Sequence, residues 1–158
     1  MVESGVRIPE GAGASLRLRV PPDARYSGYV RLRVLGFSRN ARFPEADGAE
    51  FVSAVSEALA NAIEHSRSTE SIDVACWLVG RDQLIATVVD HGIGFAAREA
   101  AENVRLPEPY AERGRGLPIM RHFSDLFSLR SIPGQGTSVL LGRYLRPAQA
   151  AGSAAAGD

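Results

Sequence analysis

"VVDHGIGF" (residues 88–95) breaks a run of strand-forming apolar residues with an aspartate and two glycines. A tight turn explains such residues at the end of a strand. A binding site explains them too, because a carboxylate beside a backbone without Cβ atoms can receive a flat heterocycle. An ionised Asp90 would accept a hydrogen bond from an exocyclic amine such as that of adenine, and would repel the carbonyl oxygen of guanine. This stretch alone leaves both interpretations open.

The helix predicted over residues 47–65 carries a second group of polar side chains. Glu57, Asn61 and His65 follow one another at four-residue intervals and form one stripe, which angle counting places roughly opposite the apolar face. A carboxylate and an amide oxygen on one ridge can hold a hard cation such as Mg²⁺, which prefers oxygen ligands. A solvated surface is the alternative. The apolar face consists of Val52, Val55, Leu59, Ala62 and Ile63.

A glycine-rich stretch, "RGRGLPIM" (residues 113–120), precedes a shorter predicted helix. Gly114 and Gly116 let backbone N–H groups converge, and a helix N-terminus adds partial positive charge, so the stretch suits a phosphate. Arg115 lies between the glycines, and its guanidinium fork matches phosphate oxygens. A Gly-rich helix start is common, which leaves an ordinary structural role open.

"GQGTSVLL" (residues 134–141) combines a turn with the start of a strand. The hydroxyl of Thr137 at this start could reach a neighbouring site. A hairpin turn explains the glycines equally well.

The alternation and periodicity of apolar residues predict an α+β fold. We expect a two-layer α/β sandwich, in which a mixed, mostly antiparallel sheet is covered on one face by three helices. One domain would span residues 15–146, between a flexible segment (1–14) and a disordered tail (147–158). The predicted strands cover residues 15–20, 71–80, 83–90, 126–132 and 137–145, and the predicted helices cover the region from Tyr26 to Phe37, residues 47–65 and a segment from Pro118.

Composition excludes several classes of function. The 158 residues contain 18 basic side chains, all of them arginine, and 18 acidic ones, so no net field favours nucleic acid or an anionic membrane. Cys76 is the only cysteine, which excludes an intrachain disulfide. Neither a signal peptide nor a membrane span is evident, so we expect a cytoplasmic protein without a direct nucleic-acid or membrane partner.

The four motifs together resemble the ATP-binding domain of the GHKL superfamily of histidine-kinase-type ATPases. Their order is a Glu-x-x-x-Asn helix, Asp-x-Gly-x-Gly, a long loop, Gly-x-Gly before a helix, and Gly-Thr before a strand. "VSEALANAIEHS", "DHGIGF" and "RGRGLPIMRHFSD" are similar to the anti-sigma-factor serine/threonine-protein kinases of bacteria. The resemblance extends from about residue 15 to residue 145, and it implies that the chain binds ATP and Mg²⁺.

At the phosphate end, the resemblance implies a role for each residue. Asn61 would coordinate Mg²⁺, and Glu57 would be the general base that takes the proton from a serine of a partner protein. Gly114 and Gly116 would hold the phosphates. From its place between these glycines, Arg115 would contact the γ-phosphate.

At the base end, the resemblance implies that Asp90 binds the adenine amine and that Gly92 and Gly94 allow close approach. Thr137 would support the Asp90 end of the pocket. His65 would contact phosphate or the metal shell, or would only cap its helix; the two readings stay equal.

A long loop, residues 96–113, would be the lid over the nucleotide. The sequence departs from the family pattern twice. Ala96 stands where many relatives carry aspartate, which puts the lid hinge in question. Pro118 stands where a third glycine often occurs, although proline suits a helix start.

The resemblance implies an ATP-dependent anti-sigma serine kinase, whose partners would be a sigma factor and an anti-sigma-factor antagonist, and which would form a homodimer. A nucleotide-binding partner-switching module with little or no kinase activity is the alternative. The catalytic domain of a histidine kinase is less favoured, because none of the three histidines lies on an additional long helix.

Overall fold

The computed structural model of the chain describes residues 11–95 and 120–145. These residues form five strands and two α-helices, and a short 3₁₀ turn (Ala24–Tyr26) precedes the first helix. In chain order the elements are β1 (Ala12–Val20), α1 (Ser27–Asn40), α2 (Glu45–His65), β2 (Ile72–Val79), β3 (Gln83–Val89), β4 (Leu126–Ile132) and β5 (Gly136–Tyr144).

The strands form one sheet in the order β1-β2-β3-β5-β4. All four neighbouring pairs are antiparallel, so the sheet of the described residues contains no parallel pair. The predicted α+β class, with helices on an antiparallel sheet, is confirmed. The expected mixed character is absent from this part of the chain.

The ends of the two helices follow from local chemistry. The Asp23 carboxylate accepts a hydrogen bond from the backbone N–H of Arg25 at 2.9 Å and caps the 3₁₀ turn that leads into α1. α2 begins directly after Pro44, and Glu45 and Asp47 in its first turn are favoured by the positive end of the helix dipole.

The core lies between α1, α2 and one face of the sheet. Alternate residues of β2 and β3 point into it, as the period of two in a strand requires. Residues 120–122 are helical, and Met120 at their start is fully buried in the same core. The largest fully buried side chains of this core are those of Phe51, Leu59, Ile72, Leu84, Met120 and Leu141.

A buried arginine fixes the N-terminal end of α2 to the sheet. Only 6% of the side chain of Arg143 on β5 is exposed, and its Nη2 lies 3.0 Å from Asp47 Oδ1. The same nitrogen contacts the carboxylate of Glu50 one turn further along α2. Arg143 lies near the end of β5, so this ion pair is at one end of the sheet. The start of β5 lies at the other end, beside the C-terminal half of α2, where the site described below is found.

β1 begins at Ala12, three residues earlier than predicted. The predicted lid (96–113) and the predicted helix start at Pro118 lie outside the described residues, as do residues 1–10 and 146–158. None of the helices among the described residues has the length and hydropathy needed to cross a bilayer.

Candidate functional site

A narrow crevice lies between the C-terminal half of α2 and the end of the sheet where β3 stops and β5 starts. Its free space is about 20 Å³, on the scale of one water molecule. It joins residues from the helix, three strands and the loop after β3. The lining residues are Ala58, Asn61, Ala62, Val88, Asp90, Phe95, Leu129, Thr137 and Val139.

Asp90 directly follows β3, and only 6% of the residue is exposed. Its Oδ1 accepts hydrogen bonds from the backbone N–H groups of Gly92 at 3.0 Å and Thr137 at 3.3 Å. Burial raises the pKa of this carboxyl above its usual range, although these two bonds and two nearby histidines oppose the shift. Oδ2 accepts no hydrogen bond from any residue that the structure describes. One oxygen is therefore held by the backbone, and the other is available to a ligand donor.

The two glycines of the loop let it pass between its neighbours. A Cβ on Gly92 would overlap the carbonyl oxygen of Ser66 at the end of α2. Gly94 has a φ of +58°, and a Cβ there would overlap the carbonyl oxygen of Ile132. These contacts alone require glycine at both positions. Their predicted role in admitting a base closely stays a prediction.

A buried hydroxyl that the sequence reasoning missed connects the loop to the β4–β5 hairpin. Ser131 Oγ accepts a hydrogen bond from the backbone N–H of Phe95 at 2.8 Å, and it lies 2.8 Å from Thr137 Oγ1. In "LFSLRSI", Ser131 has the same parity as the core-facing Phe127 and Leu129. A polar residue at a core-facing strand position was the signal available in the sequence.

The stripe of α2 does not lie opposite the apolar face, as angle counting suggested. Glu57, Asn61 and His65 are each half-buried at the border of the packed face, and the exposed positions include Ser53 and Ala60. The buried face is wider than one stripe because α2 packs against α1 on one side and the sheet on the other. The polar stripe therefore borders the crevice.

Of these three residues, Asn61 lines the crevice itself. Glu57 lies one turn nearer the N-terminus, about 6 Å along the helix axis, and is not among the lining residues. Neither side chain forms a hydrogen bond or ion pair with another described residue, so both remain available to a ligand.

His65 is the last residue of α2, and its Nε2 lies 3.7 Å from a carboxylate oxygen of Glu64. Burial and the charge of Arg67 lower the pKa of its ring, against a smaller opposite effect of Asp90. The ring is therefore protonated less readily than a free imidazole, and it can offer a hydrogen bond to a ligand.

The donor set for a metal is sparse. Residues 11–95 and 120–145 contain no group of three His, Cys, Asp or Glu side chains placed to share an ion. The Asn61 oxygen fits a magnesium ion that takes its remaining ligands from phosphate and water, since Mg²⁺ keeps several waters.

Phe95 limits the size of the crevice. The side chain packs against the core, and the residue also lines the crevice. The free space of about 20 Å³ is smaller than a planar base, so we expect the Phe95 side chain to move when a base binds.

A larger cavity of about 280 Å³ lies on the other face of the sheet, away from the predicted site residues. His91 points toward this face, and its Nε2 lies 3.0 Å from Asp73, which also accepts from Arg19 at 2.8 Å. Trp77 is 2% exposed there, and its indole N–H has no acceptor among the described residues. The lining residues are Arg17, Leu18, Arg19, Asp73, Val74, Ala75, Trp77, Thr87 and Val89.

The structure thus brings Asn61, Asp90 and Thr137 together on one crevice, with Glu57 and His65 beside it on α2. Three further predicted site residues, Gly114, Arg115 and Gly116, lie outside the described residues.

Comparison with known proteins identifies the family. A profile of the histidine kinase-like ATPase domain matches residues 20–142, which is most of the chain. The chain belongs to this family. Its relatives include an "anti-sigma F factor" of Pasteuria penetrans, which is 33% identical over 116 residues, or 70% of this chain and 77% of that protein.

Two further relatives extend the comparison. An "anti-sigma F factor" of Clostridium perfringens is 28% identical over 130 residues, covering 80% of this chain and 93% of that protein. A "serine-protein kinase RsbW" of Bacillus cereus is 23% identical over 141 residues, covering 85% and 87%. The predicted resemblance to anti-sigma-factor serine kinases is confirmed.

A solved structure shares the fold. The structure of the RsbU and RsbW domains of a Mycobacterium tuberculosis protein superposes with a TM-score of 0.64 at 20% identity and covers 85% of this chain. The match spans only 34% of that longer chain.

Proposed function

We propose that the chain is an ATP-dependent protein serine kinase of the anti-sigma-factor type, which sequesters a sigma factor and phosphorylates a serine of its antagonist. The observation that carries the proposal is the convergence of Asn61, Asp90 and Thr137 on one crevice. These three residues come from a helix, the end of one strand and the start of another.

Recognition of the base is assigned to Asp90. Its Oδ1 is occupied by two backbone N–H groups, so Oδ2 would accept the amine of adenine. Guanine would place a carbonyl oxygen against the same carboxylate, and two acceptors repel each other. The site would therefore prefer ATP over GTP.

Binding of the phosphates is assigned to Asn61 together with Gly114, Arg115 and Gly116. Asn61 would supply one oxygen ligand to Mg²⁺. When bound, this ion would neutralise charge on the phosphates. The ring of His65, beside Asn61 on α2, would add a hydrogen bond to a phosphate oxygen.

Phosphoryl transfer needs positioning and one base. The carboxylate of Glu57, one turn from Asn61, would take the proton of the acceptor serine. The serine oxygen would then bond to the γ-phosphorus as the bond to ADP breaks. Glu57 forms no ion pair with a described residue that would hold it away from this role.

Partner binding has support from the outer surface of α1. Leu32 is 70% exposed and Tyr29 is 47% exposed, and the guanidinium of Arg33 lies 5.7 Å from the Tyr29 ring centroid. α1 has no acidic residue, so this surface fits a partner that is acidic around an apolar contact. We propose that the sigma factor or the antagonist binds here. We also propose that the protein forms a homodimer, which sedimentation at micromolar concentration tests.

The test is transfer of labelled phosphate from ATP to the antagonist by Glu57→Gln. ATP affinity should stay unchanged, and the transfer rate should fall by about 100-fold or more, because the base is lost. Glu70→Gln, an exposed carboxylate beyond α2, is the matched control.

Transfer at the normal rate by Glu57→Gln would refute the base assignment. If the wild-type protein binds ATP and captures its partners but forms no phosphoserine, the chain is a partner-switching module. Absence of ATP binding at millimolar concentration would refute the proposed function as a whole.

A further inference from the structure

We propose that the cavity on the face of the sheet opposite the helices binds a small aromatic carboxylate. This site is separate from the crevice proposed for ATP, and the two share no lining residue. Its free space of about 280 Å³ is about twice that of a cavity of about 150 Å³ that holds one benzene molecule. The space therefore suits a ligand of the size of two fused rings with a carboxylate.

The cavity lies over two small residues that stand side by side in the sheet. Ala75 on β2 pairs with Thr87 on β3, and both line the cavity. Side chains two residues apart in a strand stand on the same face, so Trp77 and Asp73 flank Ala75 along β2. Val89, the partner of Asp73, flanks Thr87 along β3. The result is a slot with a low floor and taller residues at both ends.

The floor and one end of this slot are apolar. Ala75 contributes only a methyl group, and the indole of Trp77 and the branched side chain of Val89 also line the space. A flat ring would gain apolar contact with these groups, and aromatic rings pack favourably against an indole. Two donors of the slot have no acceptor among the described residues, the indole N–H of Trp77 and the hydroxyl of Thr87. The slot therefore offers hydrogen bonds to oxygen atoms as well as apolar contact.

The charged residues of the cavity favour an anion. The carboxylate of Asp73 is already occupied, because it accepts from Arg19 at 2.8 Å and lies 3.0 Å from the ring of His91. Arg17 pairs in the strand register with Ala75, which has no charge, and its guanidinium forms no ion pair with a described residue. Two arginines thus face one carboxylate in the lining. The fork of a guanidinium matches the two oxygens of a carboxylate, so Arg17 would bind the acidic group of the ligand.

The test uses the indole N–H of Trp77 as a reporter. This is the only tryptophan of the chain, so its indole gives one resonance in heteronuclear NMR of the nitrogen-labelled full chain. A ligand this small is expected to bind in the millimolar range, so naphthoate is titrated to about 10 mM. The resonance should shift and saturate. Naphthamide, the uncharged counterpart, should bind about fivefold more weakly, the difference expected of one exposed ion pair.

Three variants separate the charge from the shape of the slot. Arg17→Ala should weaken the binding of naphthoate about fivefold and leave the binding of naphthamide unchanged. Ala75→Leu fills the floor of the slot and should abolish the binding of both compounds. Arg81→Ala, in the exposed β2–β3 turn, is the control and should bind both compounds as the wild type does.

The absence of a saturable shift in the wild-type protein would overturn the inference. Equal affinity of Arg17→Ala and the wild type for naphthoate would overturn the assignment of an anionic ligand. A response to inorganic phosphate as strong as the response to naphthoate would overturn the assignment of an aromatic one. Wild-type binding by Ala75→Leu would place the ligand elsewhere. If Ala75→Leu does not fold, Ala75→Val, a smaller residue that favours strands, is measured and should bind both compounds more weakly.

Discussion

Replacing Asp90 by asparagine separates the binding role of the carboxylate from its structural role. The N–H groups of Gly92 and Thr137 both need an acceptor, so the amide oxygen of Asn would take the place of Oδ1. The amide nitrogen would then stand where Oδ2 stands and would meet the adenine amine, donor against donor. Asp90→Asn therefore keeps the loop but loses the contact with the base.

The magnitude follows from the bond that is lost. A hydrogen bond to a charged group contributes about 1.5–3 kcal/mol, so the dissociation constant of ATP should rise about 10- to 150-fold. The new amide N–H₂ can donate to the carbonyl oxygen of guanine. The affinity for GTP should therefore fall less than the affinity for ATP, or should rise. Titration calorimetry with both nucleotides measures this, and Asp82→Asn in the exposed β2–β3 turn is the control.

The stability of Asp90→Asn, unlike its affinity for ATP, should not fall. The pKa of Asp90 is raised mainly by burial, so the folded chain holds this proton more tightly than the unfolded chain. The carboxyl stabilises the fold at low pH, and that contribution is lost as pH rises from the ordinary aspartate value through the raised one. Asp90→Asn cannot ionise, so it should melt no lower than wild type at pH 7.

The same raised pKa predicts the pH dependence of binding. ATP affinity of the wild type should begin to fall on acidification at a pH above the ordinary aspartate pKa of about 3.9, and Asp90→Asn should lack this step. Wild-type ATP affinity in Asp90→Asn, or a large loss of its melting temperature, would refute the reasoning.

Two further predictions concern stability, measured by urea denaturation. Gly94→Ala should leave little folded protein, because its Cβ would overlap the carbonyl oxygen of Ile132, whereas Gly134→Ala, at a φ of +77° in open space, should lose only about 1–2 kcal/mol. Equal losses of stability in Gly94→Ala and Gly134→Ala would contradict the close packing of the loop after β3. Arg143→Ala should cost about 3 kcal/mol, because it leaves Asp47 partly buried without its partner. A cost below about 1 kcal/mol would show that the tether is not required.

Local periodicity was enough for most of the fold. The predicted strand over residues 126–132 matches β4 to the residue, and the predicted helix over residues 47–65 misses only the first two residues of α2. Alternation with a period of two and apolar spacing near 3.6 are properties of neighbouring residues, so a single sequence carries them.

The site was less predictable, because its contacts join distant residues. Nothing local shows that Gly92 must make room for the Ser66 carbonyl, or that the N–H of Phe95 needs the hydroxyl of Ser131. The stripe of Glu57, Asn61 and His65 was assigned to the wrong sector of α2, since angle counting assumes one packed face and this helix packs on two sides.

The most direct test of the account is a crystal structure of the chain with Mg²⁺ and a non-hydrolysable ATP analogue. The account predicts the adenine amine within hydrogen-bond distance of Asp90, the metal on the Asn61 oxygen, and the Phe95 side chain moved out of the crevice. A nucleotide bound elsewhere, with Phe95 still filling the space beside Asp90, would contradict it.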